Sequence, residues 1–277
     1  MSGKICIVTG ASSGLGRAIA AELARMGATV VLACRSQARG TAAQAAIQAL
    51  TGNPNVEFMP LDVAVQQSVR DFAAAYTQAH SRLHVLINNA AIFTAHRSTT
   101  PDGLETMFAT NHLGPFLLTQ LLLEVLKASA LARVINITGP AATRVRLDDL
   151  QSEYMFHSVD AFAASRLCAQ LCSFELARRL DGRGVTVNLV NPGPIRSNLM
   201  HEAPAIVRGL WWLAAAPPER AARTPLYLAS ERTIAGVTGK LFKHRREVTP
   251  HPYARDLAMQ RELWAASMEL TGLAHAS

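Results

Sequence analysis

The chain has 277 residues, of which 49% are hydrophobic and 17% charged, a composition that suits one globular domain with a full core. Its formal charge of +7 comes from scattered arginines and not from a basic tail or a basic run with interleaved aromatics, which excludes a nucleic-acid platform. The first apolar run starts near Lys4 and the run around Trp211 is far shorter than the roughly 20 residues of a membrane span, so we expect neither a secretory signal nor a transmembrane helix.

Short apolar segments alternate with amphipathic segments along the chain. The apolar segments, which predict strands, are ICIVTG, ATVVLACR, NVEFMPLDV, LHVLINNAA, ARVINITG and VTVNLVNPG. Strands that are almost wholly apolar belong in a parallel sheet covered on both faces, and the segments between them supply crossover helices. The sequence therefore predicts an α/β doubly wound Rossmann fold, with a central parallel sheet and helices on both faces, as a single domain over residues 1–277.

A glycine-rich turn follows the first predicted strand. The segment TGASSGLG, residues 9–16, ends that strand and opens the first helix. Glycines let the backbone turn tightly and approach a pyrophosphate, which the amides at the helix N-terminus then bind. Three glycines would also fit an ordinary loop, but their place between a strand and a helix favours a nucleotide site. The cofactor-binding residues predicted in this turn are Gly10, Ser12, Ser13, Gly14, Leu15 and Gly16.

The end of the second strand bears on the choice of cofactor. An acidic side chain there would accept hydrogen bonds from the ribose hydroxyls of NAD(H), whereas an arginine pairs with the 2′-phosphate of NADP(H). Here the strand ends at Cys34 and Arg35 follows it, with Arg17 and Arg39 nearby in sequence. The sequence therefore predicts NADP(H) bound by Arg35, the alternative being that these arginines are ordinary solvated side chains.

Further motifs occur along the whole chain. They are LDV at 61–63, NNAA at 88–91, NHLGPFLLTQLL from 111, DDLQSE from 148, NPGPIRSN from 191 and LWAASMELTGL from 263. With the G-x-x-x-G-x-G spacing of the first turn, they make the chain resemble the short-chain dehydrogenase/reductase family nearly end to end. Within that family the chain is most similar to the retinol-dehydrogenase-like branch.

The resemblance implies further cofactor contacts. By that resemblance, the LDV motif holds the adenine, the NNAA motif lines the middle of the cofactor and the NPGPIRSN motif holds the nicotinamide carboxamide. The residues implied are Asp62, Val63, Asn88, Asn89, Ala90, Ala91, Pro192, Gly193, Ile195 and Ser197.

The residues that the resembled family uses for proton transfer are replaced. In that family a tyrosine phenol exchanges a proton with the substrate oxygen, a lysine four residues later lowers the pKa of the phenol and binds the nicotinamide ribose, a serine orients the carbonyl and an asparagine supports a water relay. Asn111 matches the asparagine. Phe162 stands for the tyrosine, Arg166 for the lysine, and Gly139, preceded by Thr138, for the serine. Because phenylalanine carries no proton and arginine does not release one, the usual relay is lost, although Arg166 can still bind the ribose.

Five nearby side chains are candidates for the missing proton donor: Tyr154, His157, Ser158, Asp160 and Thr138. For Ser158 and Asp160 the alternative is that one of them caps the helix that carries Phe162. His157 has a pKa suited to the work, Tyr154 is the nearest tyrosine, and Thr138 lies beside the replaced serine. The alternative interpretations are that His157 is a surface loop residue and that Tyr154 simply packs.

Residues 197–220 form the predicted substrate lid, as the resemblance implies. This segment is rich in apolar side chains and includes Trp211 and Trp212, which would point to different sides of a helix. The functional interpretation is a bulky apolar substrate. The alternative is that these side chains only pack the lid onto the core.

The sequence leaves three functions open. The first, our working hypothesis, is an NADP(H)-dependent oxidoreductase of an apolar small molecule that takes its proton from another residue or from water, or needs none because hydride adds to a conjugated or iminium-like acceptor. The second is a non-redox enzyme that catalyses a cyclisation, elimination or isomerisation. The third is a catalytically silent NADP(H)-binding protein.

The four cysteines bear on compartment and metal binding. Cys6, Cys34, Cys168 and Cys172 lack the paired spacing of a metal site and are typical of small core residues in a reducing compartment. We therefore expect a cytoplasmic protein without a metal. The sequence leaves open a homo-oligomer and a weak contact with a membrane surface.

Overall fold

The computed structural model describes residues 1–129, 131–139, 141–203 and 205–273. Pro204 of the predicted lid and residues 274–277 of the predicted domain lie outside the described residues, as do Ala130 and Pro140.

Within the described residues, eight strands form a single sheet. They are β1 Ile5–Thr9, β2 Thr29–Cys34, β3 Val56–Pro60, β4 Val85–Asn88, β5 Ala132–Ile137, β6 Val185–Val190, β7 Lys240–Lys243 and β8 Arg246–Val248. Their order across the sheet is β3-β2-β1-β4-β5-β6-β7-β8, and neighbours are parallel except for β7 and β8. The predicted doubly wound parallel sheet is confirmed, with an antiparallel strand added at one edge.

The hairpin of β7 and β8 was not predicted. Lys243 pairs with Arg246 across a two-residue turn, in which His244 has a φ of 52° and Arg245 a φ of 63°. Such a turn requires positive φ at both central residues and is usually built from Asn-Gly or Asp-Gly. Because His-Arg carries no such signal, the local sequence does not mark the turn.

The helices lie between and after the strands. They are α1 Gly14–Arg25, α2 Gln37–Thr51, α3 Gln66–Ala79, α4 Thr106–Phe108, α5 Gly114–Leu121, α6 Leu123–Lys127, α7 Ser158–Arg179, α8 Ala205–Ala214, α9 Pro218–Ala221, α10 Arg223–Ser230 and α11 Leu257–Leu270. A π-helical turn, Ala109–Leu113, joins α4 to α5, and single 3₁₀ turns span Leu147–Asp149, Asn198–Met200 and Pro252–Arg255. No helix among the described residues has the length and apolar character of a membrane span.

The strands send alternate side chains into two cores, one on each face of the sheet. Along β1, Cys6 and Val8 pack into the core formed with α1, α2 and α10, whereas Ile7 packs into the core formed with α3, α5, α7 and α11. This period of two follows from the strand geometry, in which successive side chains point to opposite faces. Both faces are therefore covered by helices, as predicted.

The strand order reverses between β1 and β4, and this reversal positions the site. In open α/β sheets of this kind, ligands bind in the crevice beyond the carboxyl ends of the strands at such a reversal. The loops that follow β1, β2, β4, β5 and β6 all open at this edge of the sheet. The glycine turn at residues 9–16, the NNAA motif and the NPGPIRSN motif lie in the loops after β1, β4 and β6, and the LDV motif follows β3.

Candidate active site

A cavity of about 390 Å³ opens at the reversal of the strand order, and it gathers the predicted cofactor residues. Its volume falls within the range of roughly 300 to 1,000 Å³ that is typical of small-molecule sites. The predicted residues that line it are Gly10, Ser12, Ser13, Gly14, Leu15, Gly16, Arg35, Asp62, Val63, Asn89, Ala90, Ala91, Arg166, Pro192, Gly193, Ile195 and Ser197. Their individual roles toward a cofactor stay predictions.

The glycine turn after β1 is shaped by close backbone contacts. Gly10 and Gly14 have φ values of 66° and 53°, in the left-handed region that favours glycine. A Cβ atom at Gly16 would lie 2.5 Å from the carbonyl oxygen of Gly10 and 2.6 Å from Nδ2 of Asn89, so no side chain fits there. Ser13, the N-cap of α1, makes no side-chain cap hydrogen bond, which leaves the first amides of the helix available to a ligand. The turn can therefore cradle a phosphate group.

Asn89, and not Asn88, faces the cavity. The Nδ2 of Asn89 donates to the carbonyl oxygen of Thr9 at 2.8 Å and so ties the end of β4 to β1. The Nδ2 of Asn88 donates to Oγ1 of Thr119 at 3.0 Å and to Oδ1 of Asn136 at 2.8 Å, on the opposite face of the sheet. The role at the cofactor that the resemblance implied for Asn88 is therefore wrong, because successive residues of a strand point to opposite faces.

Arg35 and Arg39 line the cavity at the end of β2, whereas Arg17 does not. Arg35 lies 3.7 Å from the carboxylate of Asp62, and its side chain is 69% exposed. Arg39 sits in the first turn of α2. Arg17 is exposed on α1, because the helix turns away from the cavity after Gly16. Two of the three arginines considered from the sequence thus border the site, and the expected contribution of Arg17 is wrong.

Phe162, Arg166 and Gly139 meet at one corner of the cavity. Phe162 and Arg166 lie one turn apart on α7, and Cζ of Arg166 is 5.6 Å from the centroid of the Phe162 ring. Gly139 follows β5, and a Cβ atom there would lie 3.8 Å from Nε of Arg166. The tertiary structure therefore brings together the three positions at which the sequence departs from the resembled family. The corner combines an apolar wall with a guanidinium group.

Arg166 is a buried cation without a polar side-chain partner among the described residues. It is 4% exposed, and its Nε is a buried donor that finds no acceptor. Burial lowers the pKa of its guanidinium to about 10, so the group still carries its charge at neutral pH. Arg166 borders both the main cavity and a second cavity of about 30 Å³. Because an unpaired buried charge is costly, this side chain is suited to meet a ligand.

Asn111 and Thr138 lie near this corner but use their polar atoms within the protein. The Nδ2 of Asn111 donates to the carbonyl oxygen of Ile92 and to Oγ of Ser165, both at 3.0 Å, and its Oδ1 accepts from the Ile92 amide at 2.9 Å. Asn111 borders the smaller cavity, and Thr138 borders the main one. The Oγ1 of Thr138 donates to the carbonyl oxygen of Arg166 at 3.4 Å. Both side chains therefore hold the site together, and the hydroxyl proton of Thr138 is already engaged.

Tyr154 and His157 lie outside the cavity. The side chain of Tyr154 is 75% exposed, and His157 is an exposed residue at the N-cap of α7. Neither borders the cavity. The structure contradicts the hypothesis that either supplies a proton, because the segment that enters α7 runs along the surface.

The segment predicted as a lid contains α8, which covers one end of the cavity. Trp211 borders the cavity, and its Nε1 donates to the carbonyl oxygen of Ile195 at 3.1 Å. Trp212 is 58% exposed, and so are Leu210 (65%) and Leu213 (85%) on the outer side of the helix. The two tryptophans point to different sides, and the inner one gives the cavity an apolar wall.

Sequence reasoning missed several residues of the cavity. Those that lie outside the predicted motifs and the predicted lid include Ile92, Phe93, Thr106 and Thr110. Thr106 and Thr110 stand four residues apart ahead of Asn111. If that segment had been predicted as a helix, the two threonines would have been placed on one helix face, close to Asn111. Ile92 and Phe93 belong to the loop after β4 and carry no local signal, whereas Leu199 and His201, which also line the cavity, fall within the predicted lid.

Comparisons with known proteins agree with the fold described above. The family model for short-chain dehydrogenases matches residues 4–206. Human retinol dehydrogenase 13 is 40% identical over 282 aligned positions, which cover 98% of this chain and 85% of that protein. The structure of an uncharacterized protein from Mycobacterium paratuberculosis is similar, with a TM-score of 0.80 and 32% identity over 98% of this chain and 94% of that chain. The RhlG/NADP active-site complex from Pseudomonas aeruginosa has a TM-score of 0.71 and 26% identity, over 87% of this chain and 94% of that chain.

Proposed function

The chain belongs to the short-chain dehydrogenase/reductase family, in its retinol-dehydrogenase-like branch, and on this premise we propose that it is an NADP(H)-dependent oxidoreductase of a bulky apolar substrate. The observation that carries the proposal is a cavity in which predicted nucleotide-binding residues continue into an apolar wall formed by Phe162 and Trp211. The reaction proceeds without the tyrosine, lysine and serine of the usual proton relay.

The residues around the cavity suit a nicotinamide dinucleotide. The close approach of Gly16 to Gly10 forms a cradle that a pyrophosphate can enter. Asp62 would bind at the adenine end, Ile195 at the nicotinamide carboxamide and Arg166 at the nicotinamide ribose. When bound, the cofactor donates or accepts a hydride at the apolar end of the cavity.

Charge favours NADP(H) over NAD(H). At the end of β2, the position of the acidic residue that would bind two ribose hydroxyls is held by Cys34, which is 4% exposed. Arg35 and Arg39 border the cavity beside it and can pair with a 2′-phosphate. The similar structure of the RhlG/NADP complex supports the same cofactor.

The substrate end of the cavity favours an apolar molecule. A buried cluster joins Phe93, Met107, Phe162 and Met200, and Trp211 packs against it. Such walls bind hydrophobic substrates through buried apolar area. The relatives named retinol dehydrogenases support this substrate class. Because Phe162 offers no proton, the proton that accompanies the hydride comes from solvent water.

Titration of the purified protein with NADPH and NADH tests the proposal. We expect nicotinamide fluorescence to change at lower NADPH than NADH concentration, and the reduced cofactor to be consumed when an apolar carbonyl compound is added. Absence of binding to both nucleotides would overturn the proposal. Binding without turnover would favour the catalytically silent protein, and conversion of an apolar compound without net NADPH oxidation would favour the non-redox enzyme.

The compartment is also part of the proposal. The four cysteines are free and buried, which supports a protein that works in the reducing cytoplasm.

A further inference from the structure

The guanidinium of Arg166 reaches the two positions from which hydroxyl donors are missing. Its Nε would lie 3.8 Å from a Cβ atom at Gly139, and its Cζ is 5.6 Å from the centroid of the Phe162 ring. In the resembled family these two positions carry the serine and the tyrosine that contact the substrate oxygen. Thr138 and Asn111 use their donors within the protein, so in the described part of this corner the donors without a protein acceptor are those of Arg166.

The surroundings of Arg166 leave its donors available to a ligand. No carboxylate neutralises it among the described residues, its buried Nε has no acceptor, and its terminal Nη groups, on a side chain that lines the cavity, make no hydrogen bond within the described part of the chain. Asp62 is the acidic residue that lines the cavity in the described part of the chain, and it lies beside Arg35 at the opposite, adenine end. The oxygen of a bound substrate would thus meet a positive charge with free N–H groups and an apolar ring beside it.

A guanidinium stabilises negative charge but does not supply a proton. Hydride addition to an isolated carbonyl would leave an alkoxide about as basic as hydroxide, whose conjugate acid, water, has a pKa of about 15.7. Without a general acid at Phe162, that product is strongly disfavoured in a buried site. Hydride addition to a conjugated carbonyl instead leaves an enolate, in which oxygen and carbon share the charge, and a fixed cation can hold such an anion until water protonates it.

We propose that Arg166 binds the oxygen of a conjugated apolar ketone or aldehyde, and that the protein reduces the carbon–carbon double bond of this substrate class. The inference rests on the proposed NADP(H)-dependent function and names the substrate of that site. A C–H bond of the reduced nicotinamide breaks, and its hydrogen forms a bond to the β-carbon with both electrons. The double-bond electrons shift to give an enolate that Arg166 stabilises. Water gives a proton to the α-carbon and leaves hydroxide, so the products are a saturated carbonyl compound, NADP⁺ and a hydroxide ion that the solvent buffer neutralises.

Benzylideneacetone, a conjugated ketone with an aromatic ring, and its saturated counterpart benzylacetone are matched probes for this inference. With NADPH deuterated at the transferred position, we expect deuterium at the benzylic β-carbon of the product, and with unlabelled NADPH in heavy water, deuterium at the α-carbon. Benzylacetone should not be reduced. Formation of an alcohol from either ketone would overturn the inference.

Substitutions at Arg166 test the oxygen contact itself. Arg166→Met should lower the rate at saturating NADPH by about 100-fold, which is the typical loss when one donor to a developing oxyanion is removed. Arg166→Lys should keep part of the lost rate, because lysine also carries a positive charge. Arg17→Met, on the exposed side of α1, is the matched control and should leave the rate unchanged. An Arg166→Met enzyme as fast as the wild type would overturn the inference.

A readout without cofactor separates this inference from the proposed function. The carbonyl stretch of benzylideneacetone labelled with carbon-13 is measured by difference infrared spectroscopy on the cofactor-free protein. We expect a shift to lower frequency in the wild type and in Arg17→Met that is lost in Arg166→Met. An unshifted carbonyl in the wild type, or no binding at high enone concentration, would overturn the inference, whereas failure to bind NADPH would overturn the proposed function alone. Circular dichroism verifies that each variant is folded.

Discussion

The ring of Phe162 packs edge-on against the ring of Phe93, with centroids 5.6 Å apart and planes at 62°. The position that carries a proton donor in related enzymes is thus one half of an aromatic pair in the cavity wall. Such pairs stabilise a wall through buried area and through their edge-to-face geometry. Where the sequence predicts that a proton donor is missing, the structure therefore shows apolar packing in the cavity wall.

Replacing Phe162 by tyrosine should restore a proton donor. In the double variant Phe162→Tyr with Gly139→Ser, we expect reduction of a saturated apolar ketone to become measurable, because the phenol supplies general acid catalysis, which typically contributes roughly 10²- to 10⁴-fold. A serine fits at position 139, since its Cβ atom would meet Arg166 at an ordinary contact distance of 3.8 Å. The assay is NADPH oxidation with benzylacetone. Phe162→Leu, which adds no hydroxyl, should show no gain, and an inactive double variant that still binds NADPH would contradict the prediction.

The arginines after β2 should set the preference for NADP(H). Replacing Arg35 and Arg39 together by alanine should weaken NADPH binding by roughly 10- to 100-fold, since a hydrogen bond to a charged group contributes about 1.5 to 3 kcal/mol. NADH binding should hardly change, because NADH lacks the 2′-phosphate. Fluorescence titration measures both affinities, with Arg17→Ala as the matched control outside the cavity. Equal losses for the two nucleotides would count against a phosphate contact.

The unpaired charge of Arg166 should make the cofactor-free wild type less stable than a variant with an apolar side chain at this position. Arg166 is 4% exposed and its Nε lacks an acceptor, so Arg166→Met should raise the free energy of unfolding by about 1 kcal/mol or more. The stabilisation that NADPH adds to the wild type should be smaller in the variant. Urea denaturation with and without NADPH measures both effects. A variant less stable than the wild type would mean that the guanidinium has a structural role.

Two glycines should respond in opposite ways to alanine. At Gly16 a Cβ atom would lie 2.5 Å from the carbonyl oxygen of Gly10, so Gly16→Ala should displace the turn, cost about 1 to 3 kcal/mol and abolish NADPH binding. At Gly209 in α8 nothing lies within 4 Å, so Gly209→Ala should stabilise that helix by up to about 1 kcal/mol and leave binding intact. Thermal unfolding and nucleotide titration distinguish them. Normal NADPH binding by the Gly16→Ala variant would contradict the proposal that the glycine turn binds the cofactor phosphates.

His112 should make stability depend on pH. It is buried in the π-helical turn with its Nε2 2.9 Å from Oγ of Ser267, and burial lowers its pKa to about 3. The unfolded chain takes up this proton near its usual pKa of about 6.5. The low pKa of His112 therefore adds to the free energy of unfolding in full above about pH 6.5. This stabilisation is lost as the pH falls toward 3, by up to about 1.4 kcal/mol per pH unit. Urea denaturation over this range should give a flatter profile for His112→Gln, and identical slopes would refute the prediction.

Local patterns in the sequence determined the architecture and the general place of the site. The apolar strands, the amphipathic helices between them and the glycine turn at residues 9–16 are each encoded within a few consecutive residues, because strand and helix periods and turn geometry are local properties. Motif spacing likewise predicted that Phe162, Arg166 and Gly139 stand at the positions of the usual proton relay. The sequence alone therefore predicted a doubly wound fold and a nucleotide site without its acid.

Only the tertiary structure decided which side chains reach the cavity. It turned Asn88 to the opposite face of the sheet and Asn89 inward, left Tyr154 and His157 at the surface, and added the β7–β8 hairpin at the edge. It also left Arg166 buried with no polar side-chain partner among the described residues. These outcomes depend on which distant segments pack against each other, and the burial and pairing of a side chain follow from that packing and not from its neighbours in sequence.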